Sequence, residues 1–164
     1  MQKIESICPK KRVYLDESGI NQYLHRQHGR SLRGTKVFGE ISGRRFGRQS
    51  VISALKDKKL LAPMCFEGTC DTNLFNTWLK QELLPNLTTG QVLILDNATF
   101  HKSAETRKLV ESYGCEIVFL PPYSPDLNPI EKCWANMKNK IRELLPTVTT
   151  LSEALDLAIL SMSI

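Results

Sequence analysis

Residues 91–121, QVLILDNATFHKSAETRKLVESYGCEIVFLP, contain two apolar runs on either side of an amphipathic segment. The first run, residues 91–97, is continuously apolar, which is typical of a strand covered on both faces in the middle of a sheet. Residues 103–114 predict a helix that ends at Gly114, and residues 115–121 predict a second buried strand. Strand, helix and strand in this order predict a parallel crossover within an α/β sheet.

The segments outside this crossover extend the predicted sheet and cover it. Alternating and β-prone patterns predict an antiparallel meander of strands at residues 12–17, 35–43 and 48–56. The apolar segment 60–68 either extends the meander or connects it to the next element, and Pro63 favours a sheet edge. Helical spacing and capping signals predict helices at residues 71–85, 129–145 and 151–162. This order predicts one domain over residues 1–164, with a mixed α/β sheet flanked by helices, as in the ribonuclease H-like architecture.

Composition and charge restrict the class of protein. The chain has 164 residues, a formal net charge of +5 and a sequence pI near 9.0. No apolar run approaches the roughly 20 residues that a membrane-spanning helix requires, so we expect no membrane attachment. The five cysteines are odd in number, lack CxxC spacing and follow no signal peptide. They favour reduced thiols in the cytoplasm over a disulfide framework or a zinc site.

Basic side chains are concentrated between the first predicted strand and the third. The candidate DNA-binding residues are Arg30, Arg33, Lys36, Arg44, Arg45 and Arg48. A basic stripe is expected where a protein neutralises nucleic-acid phosphates, because each neutralised phosphate releases condensed counterions. Charge alone leaves open the alternative that these residues form solvated loop rims.

Three acids lie where predicted strands end or a predicted helix begins. Asp16 ends the first strand, Asp96 ends the central strand, and Glu131 opens the helix after a proline-rich loop. Ligands gather at strand ends in α/β sheets, and a partly desolvated carboxylate that faces like charges is costly unless a cation compensates. Carboxylate oxygens select Mg²⁺ or Mn²⁺. Three acids can serve two such ions, which together support an in-line phosphoryl displacement.

Glu17 is an alternative to Asp16 at the end of the first strand. Successive strand side chains point to opposite faces, so Glu17 would share the face of Val13 and Leu15. That face is predicted to be apolar. The alternation therefore favours Asp16 as the site residue.

The other two acids also have structural alternatives, which the residues alone leave open. Asp96 and Asn97 can form a turn or a helix cap. If Asn128 were the N-cap, Glu131 would occupy the capping-box position of the last long helix. The preceding loop, LPPYSPDLNPIEKCW at residues 120–134, contains four prolines and ends at Trp134. Such rigidity suits a metal ligand that must be held to about half an ångström.

Three stretches carry a resemblance to a known family. YLDESGI (14–20), LILDNATFHKS (93–103) and LPPYSPDLNPIEKCWANMK (120–138) resemble the motif blocks of the DDE transposases of the mariner-like superfamily, in its bacterial insertion-sequence branch. Between Asp96 and Glu131 lie 34 residues, the spacing characteristic of that group. The resemblance extends from about Arg12 to about Ile159.

The resemblance implies a ribonuclease H-like catalytic domain. Asp16, Asp96 and Glu131 match the metal-binding triad of the family, which uses Mg²⁺ or Mn²⁺, here expected as two ions. The triad hydrolyses DNA at the ends of an element and joins the freed 3′-hydroxyl to a target, usually at a TA dinucleotide. Asn97 and His101 are accessory candidates. His101, where the family tends to have a histidine, would contact phosphate, orient Asn97 or cap the next helix.

The resemblance also implies partners and a location. A full transposase of this family is expected to act on DNA as a homodimer in the bacterial cytoplasm, associated with the nucleoid. Family members carry N-terminal helix-turn-helix units, whereas only residues 1–11 precede the first predicted strand here. We therefore expect that region to be absent and to be supplied by the product of an upstream reading frame. Two alternatives are another ribonuclease H-like nuclease and an inactive transposase remnant that only binds DNA.

Overall fold

The computed structural model describes residues 2–21, 48–122 and 124–162. Its strands are β1 Arg12–Asn21, β2 Arg48–Lys56, β3 Lys59–Glu67, β4 Val92–Leu95 and β5 Glu116–Phe119. Its α-helices are α1 Gln2–Glu5, α2 Thr72–Trp78, α3 Ala104–Ser112, α4 Ile130–Leu144 and α5 Leu151–Met162. Within these residues one sheet forms in the order β3-β2-β1-β4-β5. The predicted mixed sheet flanked by helices is confirmed.

The first three strands form the antiparallel half of the sheet, with β2 between β1 and β3. Asp57 and Lys58 connect β2 to β3, and both have positive φ, as in two-residue hairpin turns. Strand β2 has the predicted bounds, and β1 runs beyond residue 17 to Asn21 because its pairing with β2 continues that far. Segment 60–68 extends the sheet as edge strand β3, the position that Pro63 favoured. The strand expected at residues 35–43 lies outside the described residues.

The parallel half of the sheet follows from the crossover. Strands β1 and β4 are parallel, as are β4 and β5, and α3 connects β4 to β5. The Ser103 hydroxyl accepts a hydrogen bond from Thr106 N at 2.9 Å and so caps α3. Gly114, with φ of 69°, follows the helix where a side chain would be strained. All four residues of β4 are buried, as predicted for a strand covered on both faces.

Two helical layers cover the sheet. Helices α2 and α3 pack on one face of the sheet through Phe75, Trp78 and Val110. The opposite face is covered by α4 and α5, and α4 buries an apolar stripe at helical spacing: Ile130, Trp134, Met137 and Ile141. None of the helices in the described ranges is long and apolar enough to cross a membrane.

Candidate active site

The three predicted acids come together around one cavity. Asp16 lies in β1, Asp96 directly follows β4, and Glu131 lies in the first turn of α4. All three line a cavity of about 430 Å³. The remaining lining residues belong to the ends of β4 and β5 and to the proline-rich loop: Asn97, Leu120, Pro121, Pro122, Ser124, Pro125 and Asn128.

The pairing between β1 and β4 ends just before the first two acids, Asp16 and Asp96. The parallel pairing of β1 with β4 runs from Arg12↔Val92 to Tyr14↔Ile94 and ends there. Asp16 and Asp96 each follow that last pair by two residues. A crevice beyond the carboxyl ends of parallel strands is the usual position of a ligand site in α/β folds.

Asp16 carries an unfavourable concentration of negative charge. Burial, followed by the charges of Glu131 and Glu17, raises the pKa of Asp16 to about 7. The indole Nε1 of Trp134, itself 1% exposed, donates a hydrogen bond of 3.0 Å to Asp16 Oδ2. This bond fixes the orientation of the carboxylate but removes little of the repulsion. A cation between Asp16 and Glu131 would relieve it.

Asp96 is held by two hydrogen bonds to the same oxygen. Its Oδ1 accepts from Ala98 N at 3.0 Å and lies 2.9 Å from His101 Nδ1. The His101 hydrogen bond is the main reason why the pKa of Asp96 is lowered. The turn that sequence reasoning offered as an alternative for Asp96 is therefore formed, while its carboxylate also lines the cavity.

His101 bridges two carboxylates behind the cavity. Its Nε2 lies 3.0 Å from Glu17 Oε1, and the histidine side chain is 1% exposed. Burial by itself lowers the pKa of His101, but hydrogen bonds to Asp96 and Glu17 outweigh it and raise the pKa to about 9. Sequence reasoning placed Glu17 correctly on the face opposite Asp16 and missed its role. The signal that indicates a partner is an acid that shares a strand face with the apolar Val13 and Leu15.

Two asparagines connect the proline-rich loop to β1 and to the segment after β4. Asn128 Nδ2 donates to Leu15 O at 3.4 Å, and Asn97 Nδ2 donates to Leu120 O at 2.6 Å. Helix α4 begins without a side-chain cap, and its backbone is joined to the loop by Glu131 N, which donates to Asn128 O at 3.1 Å. The capping-box alternative for Glu131 is therefore wrong, and the carboxylate of Glu131 faces the cavity instead.

The donor chemistry of the cavity fits a hard divalent cation. Three carboxylates line it, and Asp16 and Glu131 repel each other across it. Within residues 2–21, 48–122 and 124–162, no three His, Cys, Asp or Glu side chains lie close enough to hold a metal ion as they stand. The three carboxylates therefore surround one cavity, but they do not lie close enough together to form a complete metal site.

Most of the predicted DNA-binding residues lie outside the described ranges: Arg30, Arg33, Lys36, Arg44 and Arg45. Arg48 is exposed at the start of β2, and its guanidinium lies against Gly19 of β1. A side chain at Gly19 would collide with this guanidinium. Because Gly19 shares a strand face with Glu17, Arg48 lies on the face opposite Asp16.

A second groove, which sequence reasoning missed, runs along α4. It has a volume of about 320 Å³ and is lined by Glu131, Trp134, Ala135, Lys138, Asn139 and Arg142. Glu131 lines both this groove and the cavity of the acids. Counting four, seven and eleven residues along the helix from Glu131 reaches Ala135, Lys138 and Arg142, so helical spacing could have revealed this stripe.

Comparison with known proteins identifies the family. The model of the DDE superfamily endonuclease family matches residues 11–152, and the chain belongs to that family. It is similar to the Tc1 transposase of Caenorhabditis elegans, with 32% identity over 69 residues, which are 42% of this chain and 25% of that protein. The resemblance to mariner-like DDE transposases is thereby confirmed, and the bacterial insertion-sequence branch stays a prediction.

Solved structures agree with this fold. The Mos1 strand transfer complex matches with a TM-score of 0.66 and 15% identity, over 99% of this chain and 58% of the Mos1 chain. The catalytic core domain of BIV integrase matches with a TM-score of 0.58 and 14% identity, over 93% of this chain and 82% of that one. The ribonuclease H-like fold is therefore confirmed. The chain spans just over half the length of the Mos1 chain.

Proposed function

We propose that this domain catalyses metal-dependent phosphoryl transfer on DNA, cleaving a strand at the end of a mobile element and joining the freed 3′-hydroxyl to a target. The observation that carries the proposal is the cavity shared by Asp16, Asp96 and Glu131. Their charges make the cavity a cation site that still has room for a phosphate.

Asp16, Asp96 and Glu131 would hold Mg²⁺ or Mn²⁺, as two ions. Bound divalent cations supply activation of the attacking hydroxyl or water and neutralisation of the leaving oxygen. The chain's own contribution is placement: Trp134 orients Asp16, and the Ala98 amide and His101 orient Asp96. Mos1 paired-end complexes solved with Mn and with Mg support the same choice of metal.

DNA is the proposed partner. We place its path from the cavity along the α4 groove, where Lys138 and Arg142 can meet phosphates. From Glu131 to Arg142 the helix rises about 16 Å, which corresponds to roughly five base-pair steps. Three further parts of the proposal rest on the family resemblance. They are a TA dinucleotide as the target, a homodimer as the active form and a bacterial insertion sequence as the source.

Nicking of supercoiled plasmid tests this function. We expect cleavage with Mg²⁺ or Mn²⁺ and none with EDTA. Asp96→Asn should abolish cleavage by removing a ligand charge, while DNA affinity in EDTA stays equal or rises because a negative charge facing phosphates is lost. Asp126→Asn is the matched control, since Asp126 is exposed in the proline-rich loop and does not line the cavity. Full metal-dependent nicking by Asp96→Asn would refute the proposed site.

A further inference from the structure

The backbone of the sheet does not set the distance between Asp16 and Asp96. Pairing between β1 and β4 ends at Tyr14↔Ile94, and both acids follow that pair. Residues beyond the last pair of a ladder have no backbone hydrogen bonds across the gap to fix their separation. A side-chain connection at this point would determine how far β1 and the segment after β4 lie apart.

Glu17 and His101 make such a connection. Glu17 is the neighbour of Asp16 on β1, and His101 lies in the 3₁₀ turn Thr99–Lys102 after β4. The ring nitrogens lie 3.0 Å from Glu17 Oε1 and 2.9 Å from Asp96 Oδ1. Each ring nitrogen is therefore within hydrogen-bond distance of one carboxylate, that of Glu17 on β1 and that of Asp96 after β4.

The ring itself is fixed by packing. His101 contacts Phe75 and Phe100, with ring centroids 4.5 and 4.2 Å apart. These contacts come from α2 and from the same 3₁₀ turn, and they leave the ring little freedom to rotate. Because the ring is held in place, the position of Glu17 affects the position of Asp96 through His101.

We propose that Glu17 and His101 are positioning residues, which link β1 to the end of β4 and hold Asp96 through Oδ1 so that its other oxygen serves the cavity. This inference rests on the proposed function, because it assigns the pair to the placement of a metal ligand. Partners behind metal ligands typically contribute 10- to 100-fold to metal affinity or activity.

The test uses four variants of the whole chain. Glu17→Ala removes the acceptor, and Glu17→Gln keeps an acceptor oxygen in its place. His101→Phe keeps a ring between Phe75 and Phe100 but cannot donate. Thr106→Val is the matched control, since it removes another buried hydrogen bond on the same side of the sheet, the 2.6 Å bond to Asn76 Oδ1.

We expect Glu17→Ala and His101→Phe to weaken Mn²⁺ binding, measured by calorimetry, by about 10-fold or more, and to lower kcat with little change in KM for DNA. Glu17→Gln should recover most of the affinity. Thr106→Val should lower stability and leave Mn²⁺ affinity unchanged. If Glu17→Ala does not fold, His101→Phe decides the result. Wild-type Mn²⁺ affinity and kcat in folded His101→Phe would overturn the inference.

A second readout separates this inference from the proposed function. In metal-free protein, Glu17→Gln should shift the ring nitrogen resonances of His101 in NMR spectra, whereas Thr106→Val should leave them unchanged. Unchanged His101 resonances in Glu17→Gln would overturn the bridge. If Glu17→Gln shifts them and wild-type protein binds Mn²⁺ but cleaves no DNA, the proposed function fails while the positioning of Asp96 stands.

Discussion

The fold opposes the ionisation of Asp16. Its pKa is raised to about 7 by burial and by the charges of Glu131 and Glu17, from a usual value of 3.8. The folded protein therefore retains this proton up to about pH 7, while the unfolded chain releases it near pH 4. Between these values the folded state binds more protons, so the stability of the metal-free protein falls as pH rises. An acid that costs stability in this way is one that function explains better than folding does.

We predict that Asp16→Asn stabilises the metal-free protein, because the amide keeps an acceptor for Trp134 and carries no charge. The gain should be small near pH 4 and should reach roughly 1–3 kcal/mol at pH 8. Urea unfolding in EDTA across this pH range measures it. Asp126→Asn, at an exposed position, should give no comparable gain. A gain from Asp16→Asn that does not depend on pH would contradict the assigned cause.

Sequence reasoning located the acids but not their partners. Asp96 and Glu131 could be found because a strand end and a helix start are visible as changes of pattern, whereas Asp16, which was expected to end the first strand, lies within β1, which continues to Asn21. The contact between His101 and Glu17 joins residues 84 positions apart, and that of Trp134 with Asp16 joins residues 118 apart. Such pairs depend on how strands are ordered in the sheet, which no local pattern contains.

At the scale of elements, periodic segments were predicted well. The predicted bounds of β2 and α5 are those of the structure, because a regular pattern continues to each end. Residues 71–85 were predicted as one helix, yet α2 ends at Trp78 and continues as a π turn, Leu79–Leu83, and a 3₁₀ turn, Leu84–Asn86. Pro85 has no N–H to donate to the preceding turn, so regular hydrogen bonding cannot continue through it. Periodicity predicts that a helix exists better than it predicts where its geometry changes.

One side of helix α4 packs on the core, and another side lines the groove that we propose as the DNA path. Lys138→Ala should weaken binding to duplexes of any sequence and reduce the slope of log affinity against log salt by about one. Lys140→Ala is the matched control, since Lys140 lies on the opposite side of the helix, 3.3 Å from Glu143. Fluorescence anisotropy over a salt series in EDTA measures both variants. Equal slopes for Lys138→Ala and wild type would remove this groove from the DNA path.

The whole molecule explains why the site is not a local feature. Asp16 comes from β1, Asp96 from the end of β4 and Glu131 from α4 on one face of the sheet. The first two lie close together because β1 and β4 are neighbours in the order β3-β2-β1-β4-β5. The class of sheet followed from the sequence, because strand and helix patterns alternate. The cavity and the charge concentrated in it did not, because both arise from packing between segments far apart in the chain.

Because unfolding separates these three segments, metal binding should stabilise the whole domain. A ligand that binds only the folded state adds about 2.7 kcal/mol at a concentration 100 times its Kd, which for a domain of this size corresponds to a rise in Tm of roughly 5–10 °C. We therefore predict that Mn²⁺ raises the Tm of the wild-type protein in a concentration-dependent way. Differential scanning calorimetry measures this rise against a sample in EDTA.

The same titration on variants distinguishes Mn²⁺ bound by the three acids from Mn²⁺ that only screens charge. Asp96→Asn and Glu131→Gln should lose most of the rise, because each removes one ligand charge from the cavity. Asp126→Asn should keep it, because its carboxylate is exposed to solvent. Ca²⁺, a hard cation that oxygen ligands also accept, should produce a rise of its own, whereas Na⁺ at equal ionic strength should not. An equal rise in wild type and Asp96→Asn would mean that Mn²⁺ stabilises the protein elsewhere, and the cavity would lose its assignment as a metal centre.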